Sequence, residues 1–190
     1  MSLQRSYLDL PFLVSLVELP ARAAEIKLLC AVALHPAIDV LIPDFENSSG
    51  HKVTVAYGNE GAIADRFQKG EAADLLINAA PLMDQLRAQG KVVAGDHIII
   101  AKVGVSAFVR KGAAKPYISS ADAFKRSMLA ASRLLIRIQP VGVPVSAIQN
   151  YTEFVPGIVT GSNQTDAARA LVTSLTSPAA QTVLKAKGFE

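Results

Sequence analysis

The sequence is poor in the residues on which most enzyme and metal chemistry is built. Of 190 residues, one is Cys, three are His and none is Trp. A single thiol excludes an intramolecular disulfide and leaves no basis for a zinc site. Cys30 lies in the apolar run IKLLCAV and reads as a buried strand residue rather than a reactive thiol. His35, His51 and His97 are spread along the chain with no metal-ligand spacing. Lys and Arg exceed Asp and Glu by only three, a formal net charge of +3. The basic residues are scattered, the densest groups being Arg110–Lys111 and Lys125, Arg126 and Arg133, so they describe a solvated face and not a nucleic-acid surface. No apolar stretch reaches the roughly 20 residues a membrane-spanning helix needs. There is no Gly-x-Ser-x-Gly elbow, no phosphate-cradling loop and no paired His and Glu at metal spacing. The motif GNEGA at Gly58–Ala62 is too short for such a loop and lacks its Lys. Composition and motifs therefore point away from an enzyme and imply no metal and no cofactor.

What is present is a globular α/β pattern. With 51% hydrophobic and 18% charged residues, the chain can bury a sizeable core. Glu25–Ala31, Lys52–Tyr57 and Asp74–Asn78 read as strands. Helical stretches follow each: Ala37, Ile38, Leu41, Ile42 and Phe45 recur at helical spacing, Ile63, Arg66 and Phe67 mark a shorter helix, and Pro81–Gln89 is closed by Gly90. Pro43 is expected to kink or break the first helix. The order β-α-β-α-β-α predicts a parallel sheet with helices on its faces. Beyond Gly90 the run Ile98–Val109 is long enough to leave one sheet and enter another. Ser119 or Ser120 opens a helix through Ser132, Leu134–Ile138 is β-prone, and Gln139–Ala147, with two Pro and a Gly, reads as loop. Tyr151–Thr160 is a strand, and helices follow at Asp166–Leu175 and from Ser177-Pro178 to Gly188.

Two strand-to-helix turns, Val32–Pro36 and Gly58–Ala62, should lie side by side at the C-terminal edge of this sheet, where open α/β sheets bind ligands. Asn78, ending the third strand, belongs to the same edge. There it either meets a ligand or caps the next helix. His35, beside the first turn, is either a ligand contact or a solvated or capping residue.

The N-terminus carries an early Arg, the apolar run PFLVSLV and then Ala21-Arg22-Ala23. Met1–Ala24 thus resembles a secretory leader with an A-x-A cleavage site, and predicts export to the periplasm.

The pieces LLCAVALHPAI, FENSSGHKVTVAYGNEGAIADRFQKGEAADLLINA, MDQLRAQGKV, VGVSAFVRKGAAKP and SNQTDAARALVTSLTSPAAQTVLKAKGFE resemble the periplasmic substrate-binding proteins of ABC transporters, of the molybdate-binding type. The resemblance covers most of Glu25–Gly112 and Tyr151–Glu190. It implies a type II periplasmic binding protein-like α/β fold: a parallel-sheet lobe with helices on both faces, a second lobe, and crossing strands near Ala101–Phe108 and Tyr151–Val159. Residues 25–104 with 151–190 would form lobe one. Residues 105–150 would form the hinge region and a second lobe much reduced by comparison with the family, as if a piece between Arg133 and Gln149 were absent. The implied function is solute capture for a membrane permease, the solute being a small molecule or oxyanion. The alternative is a vestigial copy, or a sensor or interaction module, of the same fold. A reduced lobe would leave apolar surface for a homodimer to bury.

The resemblance also implies a ligand site at Ala33, Leu34, Asn59, Glu60, Gly61, Asn78 and Tyr151. The family's molybdate binders place a Ser in each of the two turns. Here those positions align with Ala33 and Glu60, so both hydroxyls are missing and a carboxylate stands where an anion would sit. Glu60 has three open roles: a negative first-turn residue of its own helix, a contact for a cationic or hydrogen-bond-donating ligand, or a solvated side chain. Tyr151 either reaches the cleft or packs at the returning strand. Asp74 is expected to shape the lobe and not to bind.

Overall fold

Strand β1 (Glu25–Ala31) is the middle of a three-stranded parallel unit, flanked by β2 (Lys52–Gly58) and β3 (Leu75–Ala79). The structure, a computed structural model, describes residues 23–93, 97–108, 116–130, 135–138, 143–144 and 151–190. All five residues of β3 are buried, as expected of a strand covered on both faces. Its odd positions, Leu75 and Ile77, share a core with α1 (His35–Ser49), α5 (Thr165–Leu175) and α6 (Pro178–Ala186). Leu76 faces the other way, with Leu29, against Ile63 of α2 (Glu60–Gln68) and Met83 and Leu86 of α3 (Ala80–Ala88). Strand alternation thus produces two cores, one on each face of one sheet.

Strand β7 (Tyr151–Ile158) continues the sheet, antiparallel to β3, and β4 (Ala101–Phe108) pairs antiparallel with β7. Strand β4 changes partners midway. Ala101–Gly104 pair with Phe154–Tyr151, whereas Val105–Phe108 pair with β5 (Leu135–Ile138), and Ser106 and Ala107 also meet β6 (Val143–Pro144). The expected long strand that leaves one sheet and enters another is therefore observed. The backbone of Glu190 exchanges hydrogen bonds of 2.8 and 2.9 Å with Lys102, pinning the C-terminus to β4. Helix α4 (Ala121–Ala130) begins at Ser120, whose Oγ accepts from the Ala123 N–H at 3.1 Å.

Asp74 stitches the lower end of the sheet. Its Oδ2 accepts from the Lys27 N–H at 2.8 Å and its Oδ1 from the Ser162 hydroxyl at 2.6 Å. The residue braces the fold, the shaping role that the family resemblance implied.

Of the two outcomes expected at Pro43, a break is set aside: the first helix runs on through it over 15 residues. Pro43 and Asp39, whose carbonyl loses its partner, are both exposed, so water satisfies that oxygen, while Ala37, Ile38, Leu41, Ile42 and Phe45 anchor the helix to the core. Within the stretch read as loop, Val143–Pro144 form a short strand. Among the described residues β6 pairs only with β4, an edge position in which proline's missing donor is tolerated. The expected leader, the loop after Lys111, most of Gln139–Ala147 and much of the expected second lobe lie outside the described residues.

Candidate functional site

The register fixes what the C-terminal edge of the sheet holds. Ala31, last in β1, is paired with Gly58, last in β2, and Cys30 with Ile77, one residue before Asn78. The turn after β1, the turn after β2 and the end of β3 therefore lie at one level. Each turn opens a helix, so the N-termini of α1, α2 and α3 converge on this edge. Their unbonded N–H groups and dipoles give it positive character without a charged side chain.

In the first turn, Val32–Leu34 form a 3-10 turn closed by the His35 N–H donating to the Val32 carbonyl. The N–H groups of Val32 and Ala33 stand at the opening of that turn. Ala33 is half-buried, whereas the Leu34 side chain is fully buried in the core, so Leu34 brings only backbone to the edge. In the second turn Asn59 is the N-cap of α2. Its Oδ1 accepts from the Ala62 N–H at 2.8 Å and its carbonyl from the Ile63 N–H at 2.9 Å. The N–H groups of Glu60 and Gly61 stand ahead of these bonds. Glu60 is the acidic residue of the helix's first turn and is half-buried. Among the described residues no hydrogen-bond donor meets its carboxylate.

Asn78 is 0% exposed, the only buried polar residue among those described. Its Nδ2 donates to the Glu60 carbonyl at 2.8 Å and its Oδ1 accepts from the Ala79 N–H at 2.8 Å. The side chain thus clips the second turn to the end of β3. A second brace comes from Arg66, which donates to the Tyr57 carbonyl at 3.2 Å and grips Glu71 through two nitrogens. The Glu71 carboxyl is held below its ordinary range by that guanidinium.

Tyr151 stands apart from the turns. It begins β7 opposite Gly104, and a Cβ on Gly104 would lie 3.5 Å from its ring. Since Ala79 pairs with Phe154, Tyr151 projects three residues farther along, about 10 Å beyond the turn edge at ~3.3 Å per residue. It marks the place where β4 changes partners.

A cluster that sequence reasoning did not assemble adjoins the first turn. Asp39 Oδ2 lies 2.9 Å from His35 Nε2, and its Oδ1 accepts from the Tyr57 hydroxyl at 2.7 Å. The His35 ring stands edge-on to Tyr57, with centroids 4.5 Å apart. Burial pushes the Tyr57 phenol up, and the hydrogen bond to Asp39 adds to that, so Tyr57 remains a donor. The available signal was the i, i+4 spacing of His35 and Asp39 on one helix face, with Tyr57 one residue from its strand's end. The Cys30 thiol is likewise raised by burial, with Asp39 adding, which fits an inert core residue.

At the opposite edge, a hollow of about 380 Å³ is lined by Ala24, His51 and the start of α5. There His51 Nδ1 accepts from the Ala24 N–H at 3.1 Å. It lies away from the convergent turns. Among the described residues no group of three His, Cys, Asp or Glu side chains is arranged to hold a metal, and no helix is long and apolar enough to cross a membrane.

Comparison with known proteins agrees with this architecture. A family model described as bacterial extracellular solute-binding protein matches residues 26–141 and 129–190. Among solved structures, the Azotobacter vinelandii periplasmic molybdate-binding protein superposes with a TM-score of 0.66 at 14% identity, over 87% of this chain and 98% of that one. The Mycobacterium tuberculosis sulfate-binding protein SubI gives 0.65 at 18% identity, over 87% and 86%. At these identities the likeness is one of fold. Among curated proteins, an aconitate isomerase from Pseudomonas sp. is 30% identical over 111 residues, which is 56% of this chain and 42% of the isomerase. The chain thus matches less than half the length of that relative.

Proposed function

The chain belongs to the bacterial extracellular solute-binding protein family, and from that membership we propose that it is the solute-receiving component of an ABC uptake transporter, working in the periplasm and delivering a small anion to a membrane permease. The observation that carries this is the convergence of three helix N-termini on one sheet edge. Backbone N–H groups at Ala33, Glu60 and Gly61 are positioned to hold an anionic group. In this reading the protein binds and releases; it does not catalyse.

Residues 25–104 with 151–190 form the receiving lobe, and residues 105–150 a reduced second lobe reached through β4 and β7. The change of partners along β4 at Gly104 supports this division. Ala33, Glu60 and Gly61 touch the solute, Asn59 and Asn78 hold the second turn in shape, and Tyr151 guards the crossing.

The solute is better sought among small organic acids than among metal oxyanions. The aconitate isomerase relative favours a carboxylate, and a structural neighbour, PEB3, is known with bound L-phospholactate. A thermal-shift series with molybdate, sulfate, phosphate, citrate and aconitate tests the proposal. A ligand at 100 times its Kd stabilises by about 2.7 kcal/mol, an upward shift of several degrees for a domain of this size. At least one of these anions should produce it, and a flat series would remove the transport reading in favour of a copy of the fold that binds nothing.

A further inference from the structure

Resting on the export that the periplasmic reading requires, and not on the identity of the solute, we propose that the chain is cut between Ala23 and Ala24 and that the α-ammonium group so formed at Ala24 is seated on His51. Two independent observations meet at this bond. The sequence places small residues, Ala21 and Ala23, at the third and first positions before it, the pattern a leader peptidase reads. The structure divides the chain at the same place. Ala23 is exposed, whereas Ala24 is half-buried and both of its backbone groups are held. Its carbonyl accepts from the Lys52 N–H at 2.8 Å, and its N–H donates to His51 Nδ1 at 3.1 Å. Glu25 and the fully buried Ile26 then open β1. The resemblance to a leader ran through Ala24, but these bonds assign Ala24 to the fold. A cut one residue later would remove both of them, and with them the end of the β1–β2 ladder.

Hydrolysis changes what Ala24 can offer. Water adds across the amide, Ala23 leaves with a carboxylate, and the Ala24 nitrogen takes up the protons to become an ammonium. One donor becomes three, and the bond to His51 becomes charge-assisted, the shorter and stronger kind. The ring is already placed for it. A backbone N–H can only donate, so Nδ1 is the acceptor. The ring is held by its surroundings: the His51 N–H donates to the Ser49 hydroxyl oxygen at 3.2 Å, and the ring centroid lies 6.0 Å from that of Phe45 in α1. Room and counter-charge adjoin it. Ala24 and His51 line the hollow of about 380 Å³, and so does Asp166, the acidic residue in the first turn of α5. Its carboxylate offsets the positive end of α5, which would otherwise oppose a cation there. The hollow, which the convergent turns do not use, thereby gains an occupant supplied by the chain itself.

The full chain, produced in a Gram-negative bacterium, tests both halves. N-terminal sequencing and intact mass of the periplasmic protein should give Ala24 as its first residue. A different first residue in that fraction overturns the assignment of the cut and leaves the transport reading standing. A chain that stays uncut in the cytoplasm overturns both. For the seat, the α-amine is labelled with an acylating reagent and followed by mass spectrometry of the N-terminal peptide. Labelling of the folded protein should be slower than labelling in urea by about tenfold, the scale of a hydrogen bond to a charged group. His51→Ala should remove most of that protection, and His51→Asn, whose amide oxygen can stand in for Nδ1, should keep it. Equal labelling of folded and unfolded wild-type protein overturns the seat whether or not the variants fold. So does protection that persists in a folded His51→Ala chain.

Discussion

Asn78 shows how one buried side chain fixes the shape of the turn beside it. The strand-to-helix topology placed it at the C-terminal edge of the sheet, and a polar residue there can face outward or cap the chain. The structure turns it fully inward, where both ends of its amide are used. Replacing it with Ala leaves the Glu60 carbonyl and the Ala79 N–H without these partners in a buried setting. Asn78→Ala should cost about 1–3 kcal/mol, read as a lower urea midpoint at unchanged slope. Of the residues the sequence singled out, Ala33, Glu60 and Gly61 stand together at one edge. The bond that Asn78 makes to Glu60 spans 18 positions, and the His35–Asp39–Tyr57 cluster draws on two elements. Such contacts exist only once strands are in register, which is why periodicity and turn chemistry pointed to the edge but not to its bracing.

At the scale of elements, the parallel β1–β3 unit and its helices were legible because each strand is a short apolar run bounded by turn residues. All three helices of this unit end at a glycine in the left-handed region, Gly50 at φ 73°, Gly70 at φ 94° and Gly90 at φ 68°. Pro43 does not end its helix because local propensity yields to a buried face of five apolar side chains. The Val143–Pro144 pairing was hidden because two residues carry no period. Packing of α3 on β7 makes a sharper demand than any pattern shows. A Cβ at Gly157 would lie 2.3 Å from the Met83 Cε and 3.2 Å from Val92. Met83 has a flexible end, but the Val92 backbone is tied to the same strand through Val93 N–H donating to the Ile158 carbonyl at 2.8 Å. Gly157→Ala should therefore destabilise by about 1–3 kcal/mol through overpacking, measurable by calorimetry.

For the whole molecule, acid is the condition to which surface pairing responds. Glu46, Glu71 and Glu153 all have carboxyls held below the ordinary value of 4.5, by the Val53 N–H, by Arg66 and by Lys102 respectively. The native state then binds fewer protons than the unfolded chain. Their contribution is complete above that ordinary value and is lost as the pH falls through the depressed ones. The melting temperature should hold steady down to about pH 5 and then decline. Glu71→Gln should flatten the decline, and an equally steep acid limb in that variant would remove the Arg66 pair from the explanation.

The position of β7 has a further consequence, for the order in which the molecule comes into being. This strand sits between β3 and β4 in the sheet, yet it is synthesised after them. Helices α5 and α6, which close one of the two cores, come later still. A ribosome that has completed β1 to β4 has made two edges waiting for a strand and an apolar face waiting for its cover. The sheet's middle strand is the last to be made, through pairings such as Leu75 with Ile158, and the Ser162 hydroxyl then reaches Asp74 across 88 positions. Closure of the sheet thereby waits on the last strand, with the non-local pairing that slows folding.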